Sequence, residues 1–365
     1  MATSSPIQPA AVRESIVKLP PHAQFDSESF VGLLEAASRT LKNVPFTLLL
    51  NFVGKELSYS FVIDEAHYPI LESQFYASYP TIEILPREGA RSTDPKPASW
   101  TKIRLRHGDH YPFLTFRDRQ GSFMSDLFHE LSQLAPSESF FLRIQIMPTD
   151  RDSMMLALRR SIGLSVQGVR STLDIRERLF SRKGSEAIRS RATAAGTAKN
   201  KEPLFITDFQ MVVTADSSPA AHGKLAAIAS LLRKHENDYN EFLVRIESGQ
   251  WSESRLLDLR PSTTSHTFTA TEISTLYHFP PDTDNALNLV KILAPKAEPP
   301  TGLPTLANTQ PTDLSLFGIT NYRQVREQFG IKRRDRARHM YVIGKSGAGK
   351  SKLMELLIKS DLESG

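Results

Sequence analysis

Eight residues near the end of the 365-residue chain, Gly344-Lys345-Ser346-Gly347-Ala348-Gly349-Lys350-Ser351, satisfy the spacing G-x-x-x-x-G-K-[ST] at each fixed position. Glycines reach dihedrals and close approaches that a Cβ forbids, so a short loop can turn its N–H groups inward around an oxygen-rich anion. Lys350 would then meet the β- and γ-phosphates of a nucleotide as a point charge, and the Ser351 hydroxyl would coordinate Mg²⁺. A helix opening at the same place adds the positive end of its dipole. The nucleotide-binding candidates are Gly344, Lys345, Ser346, Gly347, Ala348, Gly349, Lys350, Ser351 and Lys352, with Ser351 as the metal ligand and no residue assigned to catalysis.

Such a loop needs a strand to deliver it and a helix to receive it. The apolar run Met340-Tyr341-Val342-Ile343 precedes it, and Leu353, Leu356 and Leu357 follow at helical spacing, which predicts a strand–turn–helix hairpin around an anion-sized hollow. The plain alternative is a glycine-rich strand-to-helix connection that binds nothing. The acidic second motif, a polarising residue and any arginine finger would stand on later strands. The segment 314–365 therefore reads as the start of an α/β P-loop NTPase domain, and the whole as the front part of a longer enzyme, expected to bind nucleotide weakly and hydrolyse none by itself.

Upstream, the pattern is α+β. Residues 1–24 are Pro/Ser-rich without sustained period and are expected to be a loose tail. Over 25–150 the periodicities predict a helix capped at Asp26 or Ser27, strands at Phe46–Phe52 and Leu57–Ile63 about a Gly54-Lys55-Glu56 turn, a helix over Ala66–Tyr76 and a strand at Thr81–Leu85. Strands near Ile103–Arg106 and Phe113–Phe116, a helix over Ser122–Leu134 and a strand at Phe140–Ile146 follow. A similar strand–helix–strand recurs in 202–294 as Phe205–Thr214, Lys224–Lys234 and Glu241–Ile246. This alternation suggests two ferredoxin-like, split β-α-β units. They would be joined by a basic connector, 151–201, that starts helical at Met154, Met155 and Leu158 and ends as a loop. Five prolines make 295–313 an extended linker.

Composition bounds the possibilities. With 40% hydrophobic and 23% charged residues the chain is neither fibrous nor wholly disordered. The absence of cysteine excludes disulfide frameworks, Cys-ligated zinc, iron–sulfur clusters and thiol nucleophiles. No run approaches the roughly 20 apolar residues that span a bilayer, and no secretory leader pattern opens the chain. The expected location is cytoplasmic, peripheral at the inner membrane through partners. The net charge of +5 is uneven, because Arg159 to Lys201 holds eleven Lys/Arg against Asp174, Glu177 and Glu186. That stretch is either a solvated basic helix and loop or a surface for phosphate backbones and anionic lipid.

Three stretches carry a family resemblance: Phe329–Ser351, FGIKRRDRARHMYVIGKSGAGKS; Gln74–Ile84, QFYASYPTIEI; and Thr275–Pro280, TLYHFP. The first resembles the entry to the ATPase domain of coupling-protein-like ATPases of bacterial type IV secretion systems, within the FtsK–HerA group. The other two are similar to segments of the N-terminal region carried by a bacterial subgroup of them. The likeness runs in patches from about Phe46 onward. It implies a hexameric, ATP- and Mg-dependent motor that moves DNA or nucleoprotein in conjugation and meets membrane-channel proteins. Only Gly344, Gly349, Lys350 and Ser351 carry over individually. The other function class is a non-catalytic adaptor that binds DNA or partners through its ferredoxin-like domains, and a small-metabolite P-loop kinase fits less well.

Other residues invite chemistry but read more simply. His278 lacks a second ligand at metal spacing and is expected to pack or cap. Asp64, Glu65 and His67 stand where a helix N-cap and first-turn acids belong. Phe75, Tyr76 and Tyr79 could stack on bases, though their spacing favours the core. The cluster Lys332, Arg333, Arg334, Arg336 and Arg338 could face DNA, a neighbouring subunit's nucleotide or water.

Overall fold

The computed structural model describes residues 11–106, 109, 111–119, 121–149, 194–199, 201–238, 240–259, 266–283, 288–292, 298–323, 325–338 and 340–364. The chain is α+β and divides into a unit ending at Ile292 and a unit beginning at Leu293.

The first unit holds two runs with the same element order. The first run is β1 (Val12–Lys18), α1 (Ser27–Thr40), β2 (Phe46–Val53), β3 (Glu56–Asp64), α2 (Tyr68–Ser78) and β4 (Glu83–Pro86). The second is β5 (Lys96–Leu105), α3 (Phe123–Ser132), β6 (Ser139–Pro148), β7 (Leu204–Thr214), α4 (Ser218–Ser230) and β8 (Phe242–Trp251). All pair antiparallel in one nine-stranded sheet, ordered β4-β1-β3-β2-β6-β7-β5-β8, with β9 (His266–Thr269) beside the start of β7. The two runs meet where β2 pairs β6 from Phe46↔Ile146 to Val53↔Ser139. α5 (Ala270–Leu276) follows β9 behind a capping box of Thr269 and Glu272.

The local reasons are visible. Asp26 Oδ1 accepts the Ser29 amide at 2.6 Å and starts α1. Gly54 and Lys55 both take positive φ, 58° and 69°, as the tight β2–β3 turn demands. One sheet face carries Leu48, Leu50, Phe52, Phe140, Leu142 and Ile144, and the helices bury it through Leu33, Leu71, Leu127, Leu225 and Ile273. Each such side chain contributes about 1.5–3 kcal/mol by leaving water. The opposite face buries Leu49, Val62, Phe141, Val212 and Trp251.

Several expectations change. Val12–Lys18, inside the stretch read as a loose tail, is strand β1, pairing β3 and β4. Its alternation was hidden because two polar residues point inward: Ser15 donates to Tyr68 Oη at 3.1 Å, and Glu14 meets Arg91. The basic stretch does not join two units; it lies within the connection between β6 and β7, whose ends meet at Pro148↔Phe205. Of it, 194–199 is helical, and Met154, Met155 and Leu158, where a helix is expected, lie outside the described residues. Phe113–Phe116 forms no strand; Phe113 is instead a core residue on a loop, its ring 4.9 Å from that of Phe242.

The second unit contains a ribbon, β10 (Leu314–Ile319) with β11 (Gln328–Lys332), then a short 3-10 turn at Arg333–Ala337 and α6 (Lys350–Ser364). The proline-rich stretch is tied to this ribbon, since Gly330 N donates to Pro304 O at 3.0 Å and Leu306 N to Gln328 O at 3.3 Å. No helix among the described residues is long and apolar enough to cross a membrane.

Candidate phosphate-binding loop

Gly344–Gly349 leads directly into α6, which opens at Lys350. Gly347, at a variable position, and Gly349, at a fixed one, have φ of 79° and 87°, in the left-handed region that a Cβ resists, so these two glycines are used for their backbone freedom. The loop closes on itself. Lys350 Nζ donates to Gly344 O at 2.7 Å and to Lys345 O at 2.8 Å, and Ala348 N donates to Lys345 O at 3.2 Å. Leu353 N reaches back to Gly349 O at 2.9 Å and begins the helical ladder. The amides of Gly347, Gly349, Lys350, Ser351 and Lys352 have no main-chain acceptor among the described residues, which is the usual condition of a helix start.

The electrostatics favour an anion. Lys345, Lys350 and Lys352 cluster within one loop and turn, and no acidic residue occupies the first turn of α6 to oppose its dipole. Lys352 is paired to Glu355 at 2.9 Å on the exposed surface, an interaction of small value there. The Ser351 side chain is exposed beside Lys350.

The strand half of the expected hairpin is absent. Met340–Ile343 forms no strand, and Tyr341 and Ile343 are 87% and 79% exposed. A strand exists only through its neighbours, and the ribbon strands β10 and β11 pair with each other. Of the apolar helix residues, Leu357 is buried, whereas Met354, Leu356, Ile358 and Leu362 are exposed.

The basic cluster divides. Arg336 Nη1 binds Asp361 of α6 and also donates to Ser315 Oγ at 3.0 Å, while Arg333 stands 3.7 Å from the same carboxylate. These two arginines fasten α6 to the ribbon. Lys332 and Arg334, with Asn308, Thr309, Gln310 and Asp313, instead line an open cavity of about 450 Å³.

The remaining candidates are structural. His278 is buried; its Nδ1 donates to Ser274 O at 2.8 Å and its Nε2 accepts from Ser122 Oγ at 3.1 Å, while Ser122 caps α3 by accepting Ser125 N. Burial pushes its pKa down to about 4, so it stays neutral, as those two bonds require. Asp64 does not cap α2; it grips His67 Nδ1 at 2.8 Å and His67 N at 3.2 Å, and His67 is the N-cap position, with no acid in the first turn. Phe75 stacks on Phe61 at 4.9 Å, and Tyr79 meets Phe279 at 4.8 Å, both in the core. Tyr76 Oη accepts the Ile84 amide.

Buried charges were missed by sequence reasoning. Arg91, Arg143, Lys199 and Glu272 are each at most 5% exposed, and each meets partners far away in sequence. No local spacing signals such pairs. Among the described residues no group of three or more His, Asp or Glu could hold a metal ion. No protein-family description and no curated protein sequence matches the chain.

Proposed function

We propose that the chain binds a nucleoside triphosphate, ATP, through Gly344–Lys352, and that it is the N-terminal part of a motor ATPase similar to the coupling ATPases of type IV secretion. One observation carries the proposal: a loop with two left-handed glycines brings amides without main-chain acceptors, the Lys350 ammonium and a helix N-terminus to one spot. The Lys350 ammonium, which donates to the loop's own carbonyls, would exchange them for β- and γ-phosphate oxygens. Ser351 would give one oxygen to Mg²⁺, the phosphates and water supplying others. The strand order β4-β1-β3-β2, repeated as β8-β5-β7-β6, supports reading the upstream runs as ferredoxin-like units. Hydrolysis, a hexameric ring, DNA movement and docking to membrane-channel proteins belong to the proposed motor as a whole.

Titration calorimetry of the full chain with ATP and Mg²⁺ tests the reading. Binding is expected to weaken at least about tenfold in Lys350→Ala, the equivalent of about 1.4 kcal/mol. Equal affinity in both proteins, or no heat in either, overturns it.

The second reading is an adaptor that binds DNA without nucleotide. The Lys332 and Arg334 side chains at the rim of an open cavity favour it. It predicts duplex binding that falls steeply with salt and is indifferent to ATP and to Lys350→Ala.

A further inference from the structure

Among the described residues the strand path β4 to β8 has an edge at each end, and the two differ. β4 is four residues long and ends in Pro86, which cannot donate to a further strand. β8 is ten residues long, pairs only with β5 among the described residues, and exposes Leu243, Val244, Arg245, Glu247, Ser248 and Gln250. Its open side is readable from two bonds. Arg106 N donates to Glu241 O at 2.9 Å, so main-chain groups of odd-numbered residues face β5, whereas Phe242 N turns away to Glu236 Oε1 at 3.1 Å. Alternation leaves the N–H and C=O of Val244, Ile246, Ser248 and Gln250 directed off the sheet.

We propose that β8 pairs antiparallel with β8 of a second copy of this chain, about a two-fold axis at Ile246, and joins two sheets into one. Only outward-facing residues can hydrogen-bond across such a seam, so partners must be even-numbered and the register can move only in steps of two. Centred on Ile246, the register sets Arg245 of each chain opposite Glu247 of the other, twice. Moved one step either way, it sets Arg245 against Arg245 or Glu247 against Glu247, which opposes pairing. Within its own sheet Arg245 lies opposite Lys102, a like charge, and no carboxylate among the described residues pairs with it. The same register places Leu243 opposite Gly249, over which the Trp100 ring lies, 3.3 Å from where a Cβ would stand. Half-exposed leucine and indole would cover each other there. Charged residues on an edge ordinarily block strand addition; two of opposite sign, two positions apart on one face, complement their own copy instead. The fold already makes one such seam, where the equivalent strands β2 and β6 join.

Analytical ultracentrifugation of the full chain is expected to give twice the 40.9 kDa chain mass. Arg245→Glu should halve the observed mass, and Arg245→Glu with Glu247→Arg should restore it. Circular dichroism checks that the exposed substitutions leave the fold intact. The chain has no cysteine, so oxidised Ile246→Cys should form a disulfide-linked dimer as the axis residue. A wild-type chain that stays at 40.9 kDa, a dimer insensitive to Arg245→Glu, or a dimer that Ile246→Cys fails to link overturns the proposal. No nucleotide enters the test, so its outcome is separate from that of the phosphate loop.

Discussion

Lys199 Nζ lies 2.8 Å from Glu272 Oε2, with the two side chains 2% and 1% exposed. The pair joins the helical turn 194–199, at the end of the basic segment, to the start of α5, where Glu272 also accepts the Thr269 amide at 2.9 Å. Two charges so far from water repay their desolvation only through each other and through such extra bonds.

Removing one partner should therefore be costly. Lys199→Met is expected to destabilise by about 3–5 kcal/mol at neutral pH, measured by urea denaturation, because it leaves a buried carboxylate uncompensated. Burial already holds the Glu272 carboxyl above its usual range, and losing the cation raises it further. A carboxyl whose folded pKa exceeds its unfolded one stabilises below the unfolded value and loses that contribution as pH rises. The deficit of Lys199→Met should accordingly shrink as pH falls toward 4.5, and Lys199→Met with Glu272→Gln should recover much of it. A deficit independent of pH would show that the pair is not ionic.

His278 gives a second pH prediction, with the opposite window. Its folded pKa, about 4, lies below the ordinary 6.5, so the neutral ring stabilises above pH 6.5 and that contribution fades as pH falls toward 4. The difference corresponds to about 3 kcal/mol. Wild type minus His278→Gln, followed by chemical denaturation, should lose that much between the two pH values. A flat difference would mean the ring is free to protonate in the fold.

These groups explain what could be read in advance. The α1 cap and the β2–β3 turn were legible because Asp26, Gly54 and Lys55 act on neighbours within three residues. The loop at Gly344–Ser351 was legible for the same reason. β1 was not, because Glu14 and Ser15 break its alternation and are satisfied by Arg91 and Tyr68, 77 and 53 residues away. The place of the basic segment within the β6–β7 connection depends on long-range strand pairing, which no local period encodes. Met340–Ile343 shows the converse, an apolar run that reads as a strand but has no strand beside it.

Gly330 makes a backbone prediction. A Cβ there would stand 2.1 Å from Ser315 O and 2.7 Å from its carbonyl carbon, main-chain atoms that cannot swing aside. Gly330→Ala should part β10 from β11, whose register already shifts between Leu316 and Gly318. Hydrogen exchange of 314–332 should quicken strongly, whereas unchanged protection would contradict the close approach.

Arg91 tests geometry rather than charge. Its Nε donates to Glu14 Oε2 at 2.9 Å and its Nη2 to Asn51 Oδ1 at 2.9 Å, while Nη1 stands 3.4 Å from Glu253. Ser60 Oγ and Asn51 Nδ2 complete the network, at 2.9 Å to Glu14 Oε1 and 3.1 Å to Ser60 Oγ. Arg91→Met should cost about 3 kcal/mol, because it leaves the buried Glu14 carboxylate only the Ser60 hydroxyl and Arg87, whose Nη1 stands 3.7 Å away. Lysine keeps the charge but offers a compact ammonium on a flexible stem, which cannot reach acceptors on β1, β2 and the 253–257 turn from one plane. Arg91→Lys should therefore recover less than half of the loss. A lysine variant as stable as wild type would show that a positive charge, rather than the planar fork, is all the network requires.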